Sequence, residues 1–277
     1  MKLTEKQKRD LAVDGAIVVK GLFSPEGLKR MREAFDYGVA HPSPLHGMAF
    51  EGTPQETFND YGNYENRAVH LETIKELGLA EFAASAWGSE HVWFIGEELF
   101  IKKGGLGGRS PWHQDTSYFP IAGEQMLNIW TSFEEIPRKN ALEFVRGSHR
   151  TIQYNGSSYN DASNHTKPLW HKTDWPQLPD IEAERADNPE AWDVFTFDLE
   201  VGDALVFHSG ILHGGAPVTP DCPVRHTLVY RFYGDKALYR PLPVEGGSDY
   251  GYDISDINDP SLTPGEPYRS PYMDQLI

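Results

Sequence analysis

Trp112-His113-Gln114-Asp115 places an imidazole and a carboxylate two residues apart. On an extended strand, residues i and i+2 point to the same side, so one metal ion can take both side chains together. Much later in the chain, Val201-Gly202-Asp203-Ala204-Leu205-Val206-Phe207 reads as a tight turn and a buried strand. It runs on through His208-Ser209-Gly210-Ile211-Leu212-His213-Gly214-Gly215, which ends with a histidine in a glycine-rich exit. Two glycines after His213 let the backbone approach a neighbour closely. His113, Asp115 and His213 together make the two-histidine, one-carboxylate set of a non-haem Fe(II) site, with the other positions open for a co-substrate and O2. The H-x-D pair by itself is weak, because a surface histidine beside a turn-capping aspartate gives the same letters. His208 competes with His213 for the third place. Lying mid-strand before the glycines, it reads first as a satisfied core or supporting histidine.

Arg225 opens the run Arg225-His226-Thr227-Leu228-Val229-Tyr230. A guanidinium inside a barrel mouth is costly unless it is paired. A dicarboxylate co-substrate would pair it in fork geometry; the plain alternative is a surface arginine in a salt bridge. Even spacing puts Arg231 on the same face as Arg225, and the reading places it beyond the metal end.

Composition narrows the partners. The 277 residues carry a net charge of −16, which argues against a general nucleic-acid binder and against attraction to anionic membranes. Hydrophobic residues at 39% and aromatics at 12% suffice for a core. No apolar run reaches membrane-helix length, and Met1-Lys2-Leu3-Thr4-Glu5-Lys6 lacks the apolar stretch of a signal peptide. Cys222 is the single cysteine, so no internal disulfide forms and thiolate metal clusters are ruled out. A cytoplasmic protein acting on a small molecule is the expectation, with no nucleic-acid or membrane partner. Oligomeric state has no signal in the sequence.

These side chains need elements to position them. Thr4 caps a first helix with Gln7 as its capping-box partner, and the helix stops near Gly15. Ala16-Ile17-Val18-Val19 is a short strand. Ser24-Pro25 starts a second helix, whose Leu28, Met31 and Phe35 form one apolar face. Residues 41–66 read as a long loop, followed by a helix over Glu72–Trp87. Strands then dominate: Val92–Ile95, Glu98–Lys102, Gln125–Phe133, Leu142–Val145, Val194–Asp198, Ala204–His208 and Val224–Phe232. Helices followed by strands predict an α+β, mainly β domain built as a sandwich or barrel. A single domain over 1–277 is expected: helices and loops over 1–90, a β core over 91–240 with an insertion at 151–193, and a tail from 241 to 277. The loops 41–66, 104–111 and 151–193 are expected to shape a pocket. Phe50, Tyr61, Tyr64, Tyr118, Phe119, Trp170 and Trp175 are its aromatic candidates.

Taken in order, these segments resemble the phytanoyl-CoA dioxygenase family of Fe(II)/2-oxoglutarate oxygenases. Asp14-Gly15-Ala16-Ile17-Val18-Val19 with Phe23-Ser24-Pro25-Glu26 is similar to the family's opening. Trp112-His113-Gln114-Asp115 resembles its iron motif, and Leu127-Asn128-Ile129-Trp130-Thr131-Ser132-Phe133 the strand that follows. Asn140-Ala141-Leu142-Glu143-Phe144-Val145-Arg146-Gly147-Ser148-His149 is similar to its N-G-x-L-x-x-x-P-G-S-H segment. There the chain departs from the family, with Ala141 after the Asn and Arg146 in place of Pro. The resemblance implies a double-stranded β-helix (jelly-roll, cupin-like) with the N-terminal helices packed on one side. It implies iron on His113, Asp115 and His213, and Arg225 holding the far carboxylate of 2-oxoglutarate. It also implies Trp130 along the co-substrate pocket, with Thr131 and Lys103 as further pocket residues. Related halogenases carry a small residue at the carboxylate position, so Asp115 points to hydroxylation or another halide-free oxidation. The implied reaction consumes 2-oxoglutarate and O2, releases succinate and CO2, and oxidises an unactivated C–H. No phosphate cradle for a CoA thioester is evident, so a small organic substrate is expected. Two alternatives stand beside this reading: a cupin-type metalloenzyme without 2-oxoglutarate, and a non-catalytic metal-binding sensor on the same fold.

Overall fold

The computed structural model describes residues 1–44, 46–49, 57–103, 108–158, 164–249 and 257–277. Phe50 and residues 104–107 of the expected pocket loops lie outside these. In chain order the described elements are α1 (Glu5–Asp14), β1 (Ala16–Val19), α2 (Pro25–Ala40), β2 (Gly47–Ala49), β3 (Thr57–Tyr61), α3 (Arg67–Leu77), α4 (Leu79–Trp87), β4 (Val92–Lys102), β5 (Ser110–His113), β6 (Ile121–Ala122), β7 (Met126–Ser132), β8 (Leu142–Val145), α5 (Ile181–Asp187), β9 (Val194–Thr196), β10 (Ala204–Phe207), β11 (His213–Gly215), β12 (Arg225–Gly234), β13 (Leu238–Tyr239) and β14 (Asp274–Gln275).

Local chemistry sets the first elements as the sequence suggests. The Thr4 hydroxyl accepts from Gln7 N–H while the Gln7 side chain returns to Thr4 N–H. Gly15 ends α1 at φ 88°, where a side chain would be strained. Ser24 caps α2 with Pro25 in its first turn. The expected helix over Glu72–Trp87 is two helices instead. It begins earlier, at Arg67, and breaks at Gly78, which sits at φ 64° and serves as C-cap of α3 and N-cap of α4.

Two antiparallel sheets carry the site. The larger runs β1-β10-β7-β12-β4-β3-β2, with β14 added beside β4; the smaller runs β5-β11-β8-β9. Residues 41–66 are therefore not all loop, since β3 pairs along β4 from Thr57↔Lys102 to Tyr61↔Glu98. The two strands expected at Val92–Ile95 and Glu98–Lys102 are one long β4. A register shift opposite Arg231/Phe232 absorbs the extra residue, Ile95, between Phe94 and Gly96.

Strand alternation sends each large-sheet residue to one of two layers. Leu127 and Ile129 of β7, Leu228, Tyr230 and Phe232 of β12, and Val206 of β10 pack with Met31, Phe35, Ile74, Leu79 and Phe82 of the helices. Burying each such side chain contributes about 1.5–3 kcal/mol. The opposite face presents Trp130, Leu205, Phe207 and Val229 to Leu142, Phe144 and Phe195 of the smaller sheet. The helices thus cover one face of the large sheet, the small sheet covers the other, and the candidate chemistry lies between the sheets.

Candidate metal centre

His113 and His213 are direct cross-strand partners in the β5–β11 pair, and their rings lie 4.2 Å apart. Gly214 and Gly215 make that approach possible. A Cβ on Gly214 would meet Ser110 O at 3.0 Å and Trp112 N at 3.1 Å, and Gly215 has φ 85°. The neighbour that these glycines let the chain approach is the strand carrying His113.

Asp115 reaches the same point by another route. β5 ends at His113, and Asp115 opens a 3-10 turn over Asp115–Ser117. The strand argument for H-x-D is therefore corrected: the turn, not strand alternation, brings the carboxylate back toward His113. Asp115 Oδ1 lies 3.4 Å from His113 Nε2 and 3.7 Å from His213 Nε2. One ligand atom from each of the three residues falls within 4.8 Å of the others.

The remaining letters of Trp112-His113-Gln114-Asp115 anchor this turn. Trp112 Nε1 donates to Glu182 of α5 at 2.7 Å. Gln114 Nε2 donates to Ile152 O and Gly210 O, while its oxygen accepts from Tyr154 N–H. Gln114 thereby ties the ligand loop to both the insertion and the approach to His213.

Protonation suits a metal. His113 Nδ1 faces Pro111 O at 2.9 Å and His213 Nδ1 faces Ile211 O at 3.0 Å. Each Nδ1 must donate to its carbonyl, which leaves the Nε2 lone pair of each ring for coordination. Burial and the adjacent His113 push the His213 imidazole down to about 3, so it is neutral at physiological pH. Burial would raise the Asp115 carboxyl, but Arg231 and the two histidines overcome this and hold it well below the usual carboxylate range. Two imidazoles and one carboxylate, gathered between sheets, form an N/O donor set of the kind that suits Fe(II).

His208 does not share this geometry. Its Nε2 donates to Gly123 O at 3.0 Å and its Nδ1 accepts Gly210 N–H at 2.9 Å, so both ring nitrogens are occupied. It is a satisfied core histidine.

Arg225 lies on the inter-sheet face of β12, 4% exposed, with its guanidinium 5.8 Å from the Trp130 ring. Nη1 donates to Asn140 O at 3.1 Å. No carboxylate pairs with it among the described residues. Burial lowers it to about 10, still cationic at neutral pH. Its cross-strand partner is Lys102, also buried, whose Nζ donates to Gly108 O, Ser110 Oγ and Ala216 O but meets no acid among the described residues. Burial, then Arg225 and Arg109, push Lys102 well below its ordinary value. A buried Arg225 cation with a second buried basic group beside it, neither paired with an acid among the described residues, in a chain of net charge −16, fits an anionic guest.

Three expectations for this region change. Lys103 is exposed, and strand alternation puts Lys102 in the interior instead. Thr131 shares the parity of Leu127 and Ile129, so it faces the helices, away from Trp130 and the site. Arg231 does not lie beyond the metal end: its Nε donates to Asp115 Oδ2 at 3.1 Å and its Nη2 to Glu98. Asn128 was not singled out by the sequence either, although a lone amide in the apolar run Leu127–Trp130 was the signal. Its Nδ2 donates to Asp115 Oδ2 at 2.6 Å.

Of the aromatic candidates, Tyr61 stacks on Phe119 beside Arg231, and Tyr118 meets the His113 ring edge-on at 6.0 Å. Trp170 is fully buried and donates to Ser117 O, supporting the Asp115 turn from behind. Trp175 packs on Arg240 and lines an open groove of about 550 Å³. Tyr64 points to solvent.

The phytanoyl-CoA dioxygenase (PhyH) family model matches residues 11–227, a span that contains His113, Asp115, His213 and Arg225. The chain belongs to the phytanoyl-CoA dioxygenase family. Among curated relatives of this member, a "Probable alpha-ketoglutarate-dependent hypophosphite dioxygenase" of Stutzerimonas stutzeri is 23% identical over 229 residues, covering 76% of this chain and 72% of the relative. A "Probable phytanoyl-CoA dioxygenase" of Caenorhabditis elegans is 23% identical over 263 residues, covering 88% and 79%. Among solved structures, the epimerase SnoN in complex with Fe3+, alpha ketoglutarate and nogalamycin RO superposes with a TM-score of 0.66 at 16% identity, covering 99% of this chain and 98% of that one. That likeness carries the fold.

Proposed function

We propose that this phytanoyl-CoA dioxygenase family member is a non-haem Fe(II)/2-oxoglutarate-dependent dioxygenase. It oxidises an unactivated C–H of a small organic substrate and releases succinate and CO2. The observation that carries the reading is the convergence of His113, Asp115 and His213, together with an arginine, Arg225, buried on the inter-sheet face with no carboxylate partner among the described residues. A cupin-type enzyme without 2-oxoglutarate accounts for the histidines but leaves the buried Arg225 charge without a purpose.

In this reading the chain is one domain, 1–277, and its two sheets are the halves of a double-stranded β-helix. His113 Nε2, Asp115 Oδ1 and His213 Nε2 hold Fe(II). When bound, Fe(II) with 2-oxoglutarate and O2 supplies the oxidising power, one oxygen atom leaving in succinate and the other reaching the substrate. The residues of the chain do the rest. Arg225 receives the distal carboxylate of 2-oxoglutarate in fork geometry, and Lys102, its cross-strand partner, offers a further N–H donor beside it. Trp130 forms an apolar wall along the co-substrate. Pro111 and Ile211 carbonyls fix the tautomer of the two histidines. Positioning and exclusion of water are the protein's contribution to the reaction. The fully buried interior between the sheets suits that task. Small-molecule turnover is in keeping with a relative named for hypophosphite and with the superposed epimerase bound to nogalamycin RO.

The test is anaerobic titration of the Fe(II) protein with 2-oxoglutarate, read by calorimetry and by the visible charge-transfer band. Binding with a band is the expected result. Protein that takes up Fe(II) yet binds no 2-oxoglutarate would sink the proposal. A substrate panel scored for succinate and for gain of one oxygen then identifies the substrate.

A further inference from the structure

The two oxygens of Asp115 have different surroundings. Oδ1 faces the two histidine Nε2 atoms. Oδ2 faces away and accepts two donors, Asn128 Nδ2 at 2.6 Å and Arg231 Nε at 3.1 Å. Neither donor is free to leave. Asn128, fully buried on β7, has its own oxygen engaged by Ser209 Oγ at 2.8 Å. Arg231 is buried on β12, held by Glu98 through Nη2, and lies within 6 Å of the Tyr61 and Phe119 rings. Glu98 in turn accepts from Asn59 Nδ2 at 2.7 Å. The chain Ser209–Asn128–Asp115–Arg231–Glu98–Asn59 thus runs across the large sheet as far as β3, with Asp115 of the 3-10 turn held at its middle between Asn128 and Arg231.

A carboxylate can give a metal one oxygen or two. Two oxygens from Asp115 would consume one of the three positions left by the facial set. 2-Oxoglutarate chelation needs two of those positions and O2 needs the third. We propose that Asn128 and Arg231 are positioning residues that restrict Asp115 to ligation through Oδ1 alone, with Glu98 holding Arg231 in place. The charge-assisted bond from Arg231 and the short bond from Asn128 must both break before Oδ2 can turn to the metal. The third position is thereby kept open by hydrogen bonds around the ligand and not by the ligand's own preference. This inference rests on the Fe(II)/2-oxoglutarate reading.

The experiment counts open positions and does not depend on knowing the substrate. Nitric oxide occupies one position on Fe(II) and gives an S = 3/2 EPR signal. Anaerobic Fe(II) protein is titrated with nitric oxide, with and without saturating 2-oxoglutarate. Wild type binds both ligands together. In Asn128→Ala and Arg231→Met, nitric oxide affinity without 2-oxoglutarate is little changed, but with 2-oxoglutarate present it falls by about tenfold or more. Arg231→Lys, which keeps the charge and a donor, recovers most of the loss. A merely structural role would lower thermal stability without this dependence on 2-oxoglutarate. Asn128→Ala removes one neutral donor, so it carries the test where Arg231→Met fails to fold. If Asn128→Ala binds nitric oxide beside 2-oxoglutarate as wild type does, the proposal is overturned. A wild type that binds no 2-oxoglutarate at all overturns the cofactor reading instead, and the two failures are told apart in the first titration.

Discussion

At the scale of single residues, what separates the histidines is where their ring nitrogens point. His213 and His208 are both buried and both held neutral by burial at about 3. His208 Nε2 is spent on the Gly123 carbonyl, whereas His213 satisfies Nδ1 on Ile211 O and turns Nε2 toward Asp115 and His113. His213→Ala should therefore lower Fe(II) affinity by more than about 100-fold, beyond the 10–100-fold typical of partners that only support a ligand. His208→Gln should leave iron uptake intact and cost about 1–3 kcal/mol of stability through its unmet Gly210 N–H or Gly123 carbonyl. Metal content after anaerobic loading and urea unfolding separate the two. For the co-substrate, Arg225→Gln should weaken 2-oxoglutarate binding by about 1.5–3 kcal/mol, roughly 10- to 150-fold, since a charge-assisted pair is lost. Lys102→Met should weaken it too, whereas Lys103→Met, in solvent, should not. Equal losses from both lysines in a calorimetric titration would contradict the strand parity that separates them.

At the scale of elements, the site is a meeting of β5 and β11 across a turn, and the spacing of that pair is set by Gly214. Gly214→Ala would thrust a Cβ against Ser110 and Pro111 carbonyls and Trp112 N. The strands must part by a few tenths of an ångström, at a cost of about 1–3 kcal/mol. The His113–His213 distance must grow with them. The expected outcome is a lower unfolding midpoint together with weaker Fe(II) binding, measured on the same sample; a loss of stability with unchanged metal affinity would mean that the glycine serves packing alone. Much of this layout was legible in the residues. Thr4, Gln7, Gly15, Ser24 and Pro25 act through neighbours in sequence, so caps and helix ends could be read directly. The ligands were legible because His113, Asp115 and His213 sit in distinctive local strings. What was not legible depends on cross-strand register. Residues 57–61 look like loop until β4 supplies a partner, and the one-residue shift near Gly96 is set by β12. Asn128, Lys102, Glu98 and Arg231 acquire their roles only from strands far away in sequence.

At the scale of the whole molecule, the chain buries several ionisable groups, and this ties stability to pH. His70 of α3 is fully buried against Tyr230, with 2.9 Å between Nδ1 and the hydroxyl and no partner for Nε2 among the described residues. Burial, helped by Arg30 and Arg67, pushes its imidazole down to about 4 from 6.5. Between those values the unfolded chain binds a proton that the folded chain refuses, so the unfolded state gains as pH falls. The contribution is fully present above pH 6.5 and is lost progressively down to about pH 4. Its size is about 3 kcal/mol, from 1.4 kcal/mol per unit. Glu97, cross-strand from Tyr230, works the other way: burial raises its carboxyl, so it opposes folding increasingly as pH climbs past 4.5. His70→Gln leaves Glu97 in place and removes only the histidine's share. Urea unfolding at pH 7, 6, 5 and 4.5 should show wild type losing more stability than His70→Gln on acidification, the gap between the two narrowing by about 2–3 kcal/mol across the series. Parallel curves for the two proteins would mean that His70 accepts its proton in the folded state, and that the helix layer over the large sheet admits more water than its packing indicates.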